Sequence, residues 1–170
     1  VMHTQYGMRQ QLKKSAAANN VCVSDFIAPK STGIKDYIGG FVVTTGLGIE
    51  DKLAVFKADH DDYNSILLKA LADRLAEAFA ERLHELVRQE YWGYETKTYE
   101  KGELIQEKYQ GIRPAPGYPA NPDHTEKPGL FRILDATELT GVSLTESMAM
   151  MPASSVSGWY LIILVLVRLQ

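Results

Sequence analysis

A single cysteine, Cys22, stands in a chain of 170 residues. That excludes an internal disulfide framework and a multi-cysteine zinc site. Neither sign of charge dominates: 18 Lys and Arg meet 21 Asp and Glu, for a net charge of −3. A duplex nucleic-acid binder needs a cationic stripe to neutralise phosphates, so nucleic acid is not an expected partner. Long apolar runs are missing as well. The longest, Trp159 to Val167, falls short of the ~20 residues that cross a bilayer, and no membrane role is expected. The start, Val1-Met2-His3-Thr4-Gln5-Tyr6, has no apolar stretch of the secretory kind. A reducing, cytoplasmic compartment is the expectation. The first residue is not Met, which reads as a chain cut from something longer.

Signatures of self-contained catalysis are also scarce. Ser31, Ser143 and Ser157 lack a G-x-S-x-G frame. His3 and His124 have no partner at metal-ligand spacing, and Gly46-Leu47-Gly48 is a lone GxG. Asp59-His60-Asp61-Asp62 has no EF-hand glycine. Asp61 and Asp62 are better explained as carboxylates at a helix N-terminus, where the macrodipole favours them. Cys22, between Val21 and Val23, reads as a buried strand residue as readily as a thiolate.

What is present is an ordinary globular composition, 45% hydrophobic and 23% charged, which fits one mixed α+β domain over 1–170. Met8 to Lys14 reads as a helical turn fading at Asn19-Asn20. Val21 to Ile27 and Tyr37 to Gly46 carry β-branched and aromatic residues on either side of a Pro29–Gly33 turn, and predict a hairpin of two antiparallel strands. Leu67, Leu71, Leu75, Phe79, Leu83 and Leu86 recur at spacings of 4, 4, 4, 4 and 3. This predicts a long amphipathic helix over about 64–89 with those residues facing the core. Asp73, Arg74, Glu77, Glu81, His84 and Arg88 are then its solvated face. Short helices are expected near Glu103–Lys108 and Leu130–Leu134, the latter with Thr125 as cap, and strands at Val142–Thr145 and from Val156.

The most unusual stretch is Gly111 to Pro122, where four of the seven prolines fall within nine residues. Each proline removes a backbone donor and fixes φ, so neither a helix nor a central strand survives there. A rigid loop remains. Within it, Arg113-Pro114-Ala115-Pro116-Gly117-Tyr118-Pro119 holds an arginine that loses little ordering entropy on gripping a carboxylate. Gly117 permits close backbone approach, and Tyr118 adds an amphipathic ring. The competing reading is a structural turn with a surface arginine. Asp25 and Glu77 are carboxylates able to take a ligand's amine or hydroxyls; equally, Glu77 pairs with Arg74 at helical spacing, and Asp25 initiates a turn.

Several stretches together carry a resemblance: Ser24-Asp25-Phe26-Ile27-Ala28-Pro29, Lys69 to Glu81, Gly111 to Pro122, His124-Thr125-Glu126-Lys127, Leu144-Thr145-Glu146-Ser147 and Ser155 to Tyr160. In colinear order over about residues 2–160, they resemble the C-terminal activation domain of cobalamin-dependent methionine synthase. The resemblance implies a twisted antiparallel β-sheet flanked by helices, binding S-adenosylmethionine at its edge. It implies a reactivation module of a methyltransferase (5-methyltetrahydrofolate–homocysteine) of methionine biosynthesis, one that does not turn over alone. Its task is to present the S-adenosylmethionine methyl group for reductive remethylation of cob(II)alamin. The implied partners are a cobalamin-binding domain and a flavodoxin-type electron donor, with cobalamin and zinc held on other domains. Carried over by motif, Arg113 holds the methionine carboxylate, Ala115, Gly117 and Tyr118 line the same loop, and Asp25 and Glu77 receive polar groups including the amine. Asn121 stands where some relatives have cysteine, a change expected to matter little. From about 161 the chain is atypical or truncated: Leu161 to Gln170 replaces the family's polar turn and aromatic-bearing strand. That tail motivates a second reading, a relative that keeps the fold but has lost S-adenosylmethionine binding.

Overall fold

The computed structural model describes residues 3–15 and 19–162; most of the atypical tail, 163–170, lies outside them. The sheet that organises the fold pairs β1 (Ile38–Thr44) with β4 (Ser155–Leu161), antiparallel, from Ile38 opposite Leu161 to Thr44 opposite Ser155. Between them in sequence come α1 (Ile49–Ala58), α2 (Asp62–Leu86), α3 (Lys101–Ile105), α4 (Lys127–Ile133), α5 (Ala136–Thr140) and a small antiparallel pair, β2 (Ser143–Leu144) with β3 (Met150–Met151). The architecture is α+β, as expected.

Strand alternation assigns the two faces of the sheet. Phe41 and Val43 point to one side and pack with Ala80, Val87 and Tyr160, flanked by Leu83, Trp92 and Val156. Val42 points to the other and joins Phe131, Ala136 and Val142 beneath α4 and α5. Gly40 shares that second face, where an added Cβ would lie 2.7 Å from Leu130 Cδ1. A bare backbone at 40 therefore lets α4 sit close to the sheet.

The hairpin expected between Val21–Ile27 and Tyr37–Gly46 is not formed. Val23–Phe26 is a 3-10 turn, because the Asp25 carboxylate accepts from Cys22 N at 2.9 Å and Asp25 N donates to Cys22 O at 3.0 Å. A side chain that satisfies the backbone locally removes it from any ladder. β1 turns instead to a strand more than a hundred residues later. Cys22 is buried in this turn rather than in a strand, and Met8–Lys14 is not helical. Asp61 does cap α2, accepting from Asn64 N at 2.9 Å, and these bonds hold its carboxyl below the usual range. At α4 the role given to Thr125 belongs to Asp123, which accepts from Thr125 N at 2.8 Å to open the preceding 3-10 turn.

The long helix is where expected and continues through a π-helical turn, Val87–Tyr91. Its orientation is not as expected. The face against the sheet is Ala72, Ala76, Ala80 and His84, whereas Leu67, Leu71, Leu75 and Phe79 are exposed. A spacing of four residues drifts by about 40° per step around a helix that turns ~100° per residue. A six-residue series at that spacing cannot all meet one flat partner. Its C-terminal members Leu83 and Leu86 are partly buried, and its N-terminal members have rotated away. The neighbouring alanine series takes the sheet because small side chains allow closer approach, and Thr45 Oγ1 donates across it to Ala72 O at 2.6 Å.

Candidate functional site

The Pro-rich loop is built onto the free edge of β4. Ile112 pairs with Leu161 in both directions, N to O at 2.9 Å and O to N at 3.1 Å, and Trp159 N donates to Pro114 O at 2.9 Å. Residues 112–114 thus run beside β4 as an irregular third strand. Pro114 accepts from Trp159 but has no N–H to return, so the pairing ends there, as suits a proline at a sheet edge. Gly158 makes the fit possible: a Cβ there would lie 2.6 Å from the Pro114 carbonyl oxygen. The tip then closes on itself, with Gly117 N donating to Asn121 O and Asn121 N to Tyr118 O, both at 2.8 Å.

Between this loop and α2 lies a cleft of about 790 Å³, lined among others by Glu77, Arg113, Ala115 and Tyr118. That volume suits a small-molecule ligand. A second cleft of about 640 Å³ adjoins it, sharing Glu77, Tyr118 and Val156 and adding Asp73, Arg74 and Ser154. Four of the residues singled out by sequence therefore converge. Two do not line either cleft. Asp25 reaches the first only through its neighbour Phe26; its carboxylate is held by Arg9, at 2.5 Å and 2.8 Å, which keeps it below the ordinary carboxylate range. At Gly117, in the left-handed region at φ 103°, the space of the absent Cβ is taken by the His124 imidazole, 2.3 Å away at Cε1. The glycine lets the loop pack on His124. Asn121 is 1% exposed, so the position lies in the core of the loop.

Arg113 is not a free surface arginine. Its Nη2 donates to Glu81 Oε2 at 3.2 Å, and its Nη1 is buried without a hydrogen-bond partner among the described residues. Behind it stands a polar and aromatic wall, two members of which, His84 and Arg88, the helical periodicity assigns to solvent. His84 and Arg88 are both 0% exposed. Arg88 lies 3.0 Å from Glu95 and 3.9 Å over the ring of Tyr109. Phe41 stacks on Tyr160 at 4.7 Å, Tyr160 on His84 at 5.2 Å, and Tyr109 meets His84 edge-on at 5.1 Å. Burial pushes the Tyr160 and Tyr109 hydroxyls up. Glu107, Tyr109 and Phe41 also line the first cleft and were not singled out by sequence. One signal was available: Glu77, Glu81, His84 and Arg88 recur at spacings of 4, 3 and 4.

His84 is held neutral. Burial first, then the Arg88 and Arg113 cations, lower its pKa to about 3. The unfolded chain takes up a proton near the ordinary value of 6.5, so between those values the unfolded state binds more protons and stability falls as pH falls. From pH 7 to pH 5 the expected loss is about 2 kcal/mol, at ~1.36 kcal/mol per unit. His84→Phe keeps the stack and should flatten that slope. Urea unfolding of both proteins at the two pH values checks this; parallel losses would show that His84 is not the source.

The fold and cleft define an α+β module with a cleft of small-molecule size, lined by a cation, Arg113, and an anion, Glu77. The chain belongs to the activation-domain family of vitamin B12 dependent methionine synthase, whose model matches residues 1–163. Among solved structures it is similar to the MetH reactivation domain bound to AdoHcy, with 55% sequence identity and a TM-score of 0.89. The match covers 96% of this chain and 50% of that one, so the chain spans half the length of that relative.

Proposed function

We propose that this chain is the S-adenosylmethionine-binding reactivation module of a cobalamin-dependent methionine synthase, positioning the ligand's methyl group for reductive remethylation of cob(II)alamin. The observation that carries the reading is the pairing, across one cleft, of a guanidinium with an unsatisfied buried Nη1 and an exposed carboxylate, Arg113 and Glu77. S-Adenosylmethionine offers the complementary carboxylate, ammonium and sulfonium. The solved relative holds AdoHcy, the demethylated form of the same molecule.

In this reading Arg113 grips the ligand carboxylate, Glu77 takes the ammonium, and Ala115 and Tyr118 shape the wall along the remainder. Asp25, beside Phe26 at the mouth, exchanges its Arg9 partner for a polar group of the ligand, and Gly117 keeps the loop seated on His124. The module contributes position and orientation. Cobalamin, held with zinc on other domains, supplies the methyl-accepting cobalt. The partners are the cobalamin-binding domain of the synthase and a flavodoxin-type electron donor. The reaction served is methyl transfer from 5-methyltetrahydrofolate to homocysteine, in the cytoplasm, and the module alone does not turn it over. Among the described residues no helix is long and apolar enough to cross a membrane.

Calorimetric titration with S-adenosylhomocysteine tests the proposal. The wild-type chain should bind, and Arg113→Ala should weaken binding by ~1.5–3 kcal/mol through loss of a charge-assisted hydrogen bond. Absence of binding by the folded wild-type chain overturns the reading, as does unchanged affinity in the variant.

A further inference from the structure

The backbone around Arg113 is fixed by β4, but a long side chain leaving a strand edge has several rotamers. What selects one is a carboxylate one helical turn beyond Glu77. Glu81 Oε2 accepts from Arg113 Nη2 at 3.2 Å. The other oxygen of Glu81 lies 3.8 Å from Nη1 of Arg88. Arg88 is fully buried, 3.0 Å from Glu95 and stacked on Tyr109, contacts of ion-pair and cation–π type without a hydrogen bond among the described residues. Glu95 is fixed in turn by the Tyr99 hydroxyl at 2.5 Å and by Gln110 N at 3.0 Å. A chain of four alternating charges therefore runs from the protein interior to the cleft, ending at an arginine with one arm engaged and the other, Nη1, buried without a partner among the described residues.

We propose that Glu81 is a positioning residue: anchored by buried Arg88, it holds one arm of Arg113 so that the other is aimed at the ligand's carboxylate. The proposal rests on the functional reading above. Its charge argues against a direct attractive role. The cleft already carries Glu77, and a second anion beside an incoming carboxylate repels it, so Glu81 contributes through the orientation it imposes. An arginine held at one edge of its fork keeps the remaining donors pre-arranged, which lowers the ordering entropy lost when the ligand arrives.

Position and charge separate experimentally. Glu81→Asp keeps the charge beside Arg88 but shortens the reach to Arg113, whereas Glu81→Gln keeps the reach and an acceptor oxygen but loses the charge. Each variant is titrated with S-adenosylhomocysteine and with 5′-methylthioadenosine, which shares the nucleoside and thioether but has no carboxylate. Thermal melting of each protein monitors the fold. For S-adenosylhomocysteine the expected result is about a tenfold loss of affinity in Glu81→Asp and a value within about threefold of wild type in Glu81→Gln. Affinity for 5′-methylthioadenosine stays unchanged in both. Equal weakening of both ligands would assign Glu81 a merely structural role, and tighter S-adenosylhomocysteine binding in Glu81→Gln would make it only a repulsive neighbour. Either result overturns the proposal. Failure of the wild-type chain to bind S-adenosylhomocysteine would instead remove the functional reading beneath it.

Discussion

Arg88→Leu is expected to destabilise the fold by about 3–5 kcal/mol, the usual cost of leaving one member of a buried ion pair alone. The guanidinium is 0% exposed and has two anions within reach, Glu95 at 3.0 Å and Glu81 at 3.8 Å. Glu95 is only 9% exposed, so its charge has little water to fall back on once Arg88 is gone. The Tyr99 hydroxyl and Gln110 N would still donate to it, which compensates in part. The same contact already holds the Tyr99 hydroxyl's pKa up at about 12. Replacing Glu95 by leucine as well should recover part of the loss, because the uncompensated charge leaves with it. Urea-unfolding midpoints of the single and double variants measure this. Near-wild-type stability in Arg88→Leu would mean that the buried arginine is not held as described.

The second large effect is a contrast between two leucines. Leu130→Ala should cost about 2–5 kcal/mol, through lost transfer energy and the cavity left behind. Leu130 is 0% exposed and is the side chain that α4 sets over Gly40 of β1. Leu75→Ala should change stability by no more than about 0.5 kcal/mol, as at an ordinary surface position, because Leu75 is 59% exposed on α2. The amphipathic periodicity by itself ranks Leu75 as core. Denaturant unfolding of the two variants side by side decides the orientation of the helix. A large loss in Leu75→Ala would turn α2 about its axis relative to the sheet.

These two predictions mark where the sequence was and was not sufficient. The existence and extent of α2 followed from its periodicity, the cap at Asp61 from its carboxylate at a helix N-terminus, the strand beginning near Val156 from its residue types, and the irregular Pro-rich loop from its proline density. All are local: spacing, capping and the loss of backbone donors act over a few residues. The family resemblance and the meeting of Arg113, Ala115 and Tyr118 in one loop were likewise legible, since one short motif carries all three residues. Glu77 was legible only as a candidate until the fold laid α2 along that loop.

Only the tertiary structure decided which stripe of α2 is buried. Two series at a spacing of four run along the helix, one of leucines and one of alanines ending in His84, and burial follows the approach distance of β1 and β4 rather than hydrophobicity alone. Pairing of β1 with β4 was equally invisible, because a strand edge does not encode a partner more than a hundred residues away, while Asp25 diverted the nearer candidate into a turn. The half-buried Glu81 and the buried Arg88 and Glu95 look like solvated residues in any linear reading. Their burial is tolerable only because each finds an opposite charge or a donor from another segment, and those segments meet only once the chain has folded.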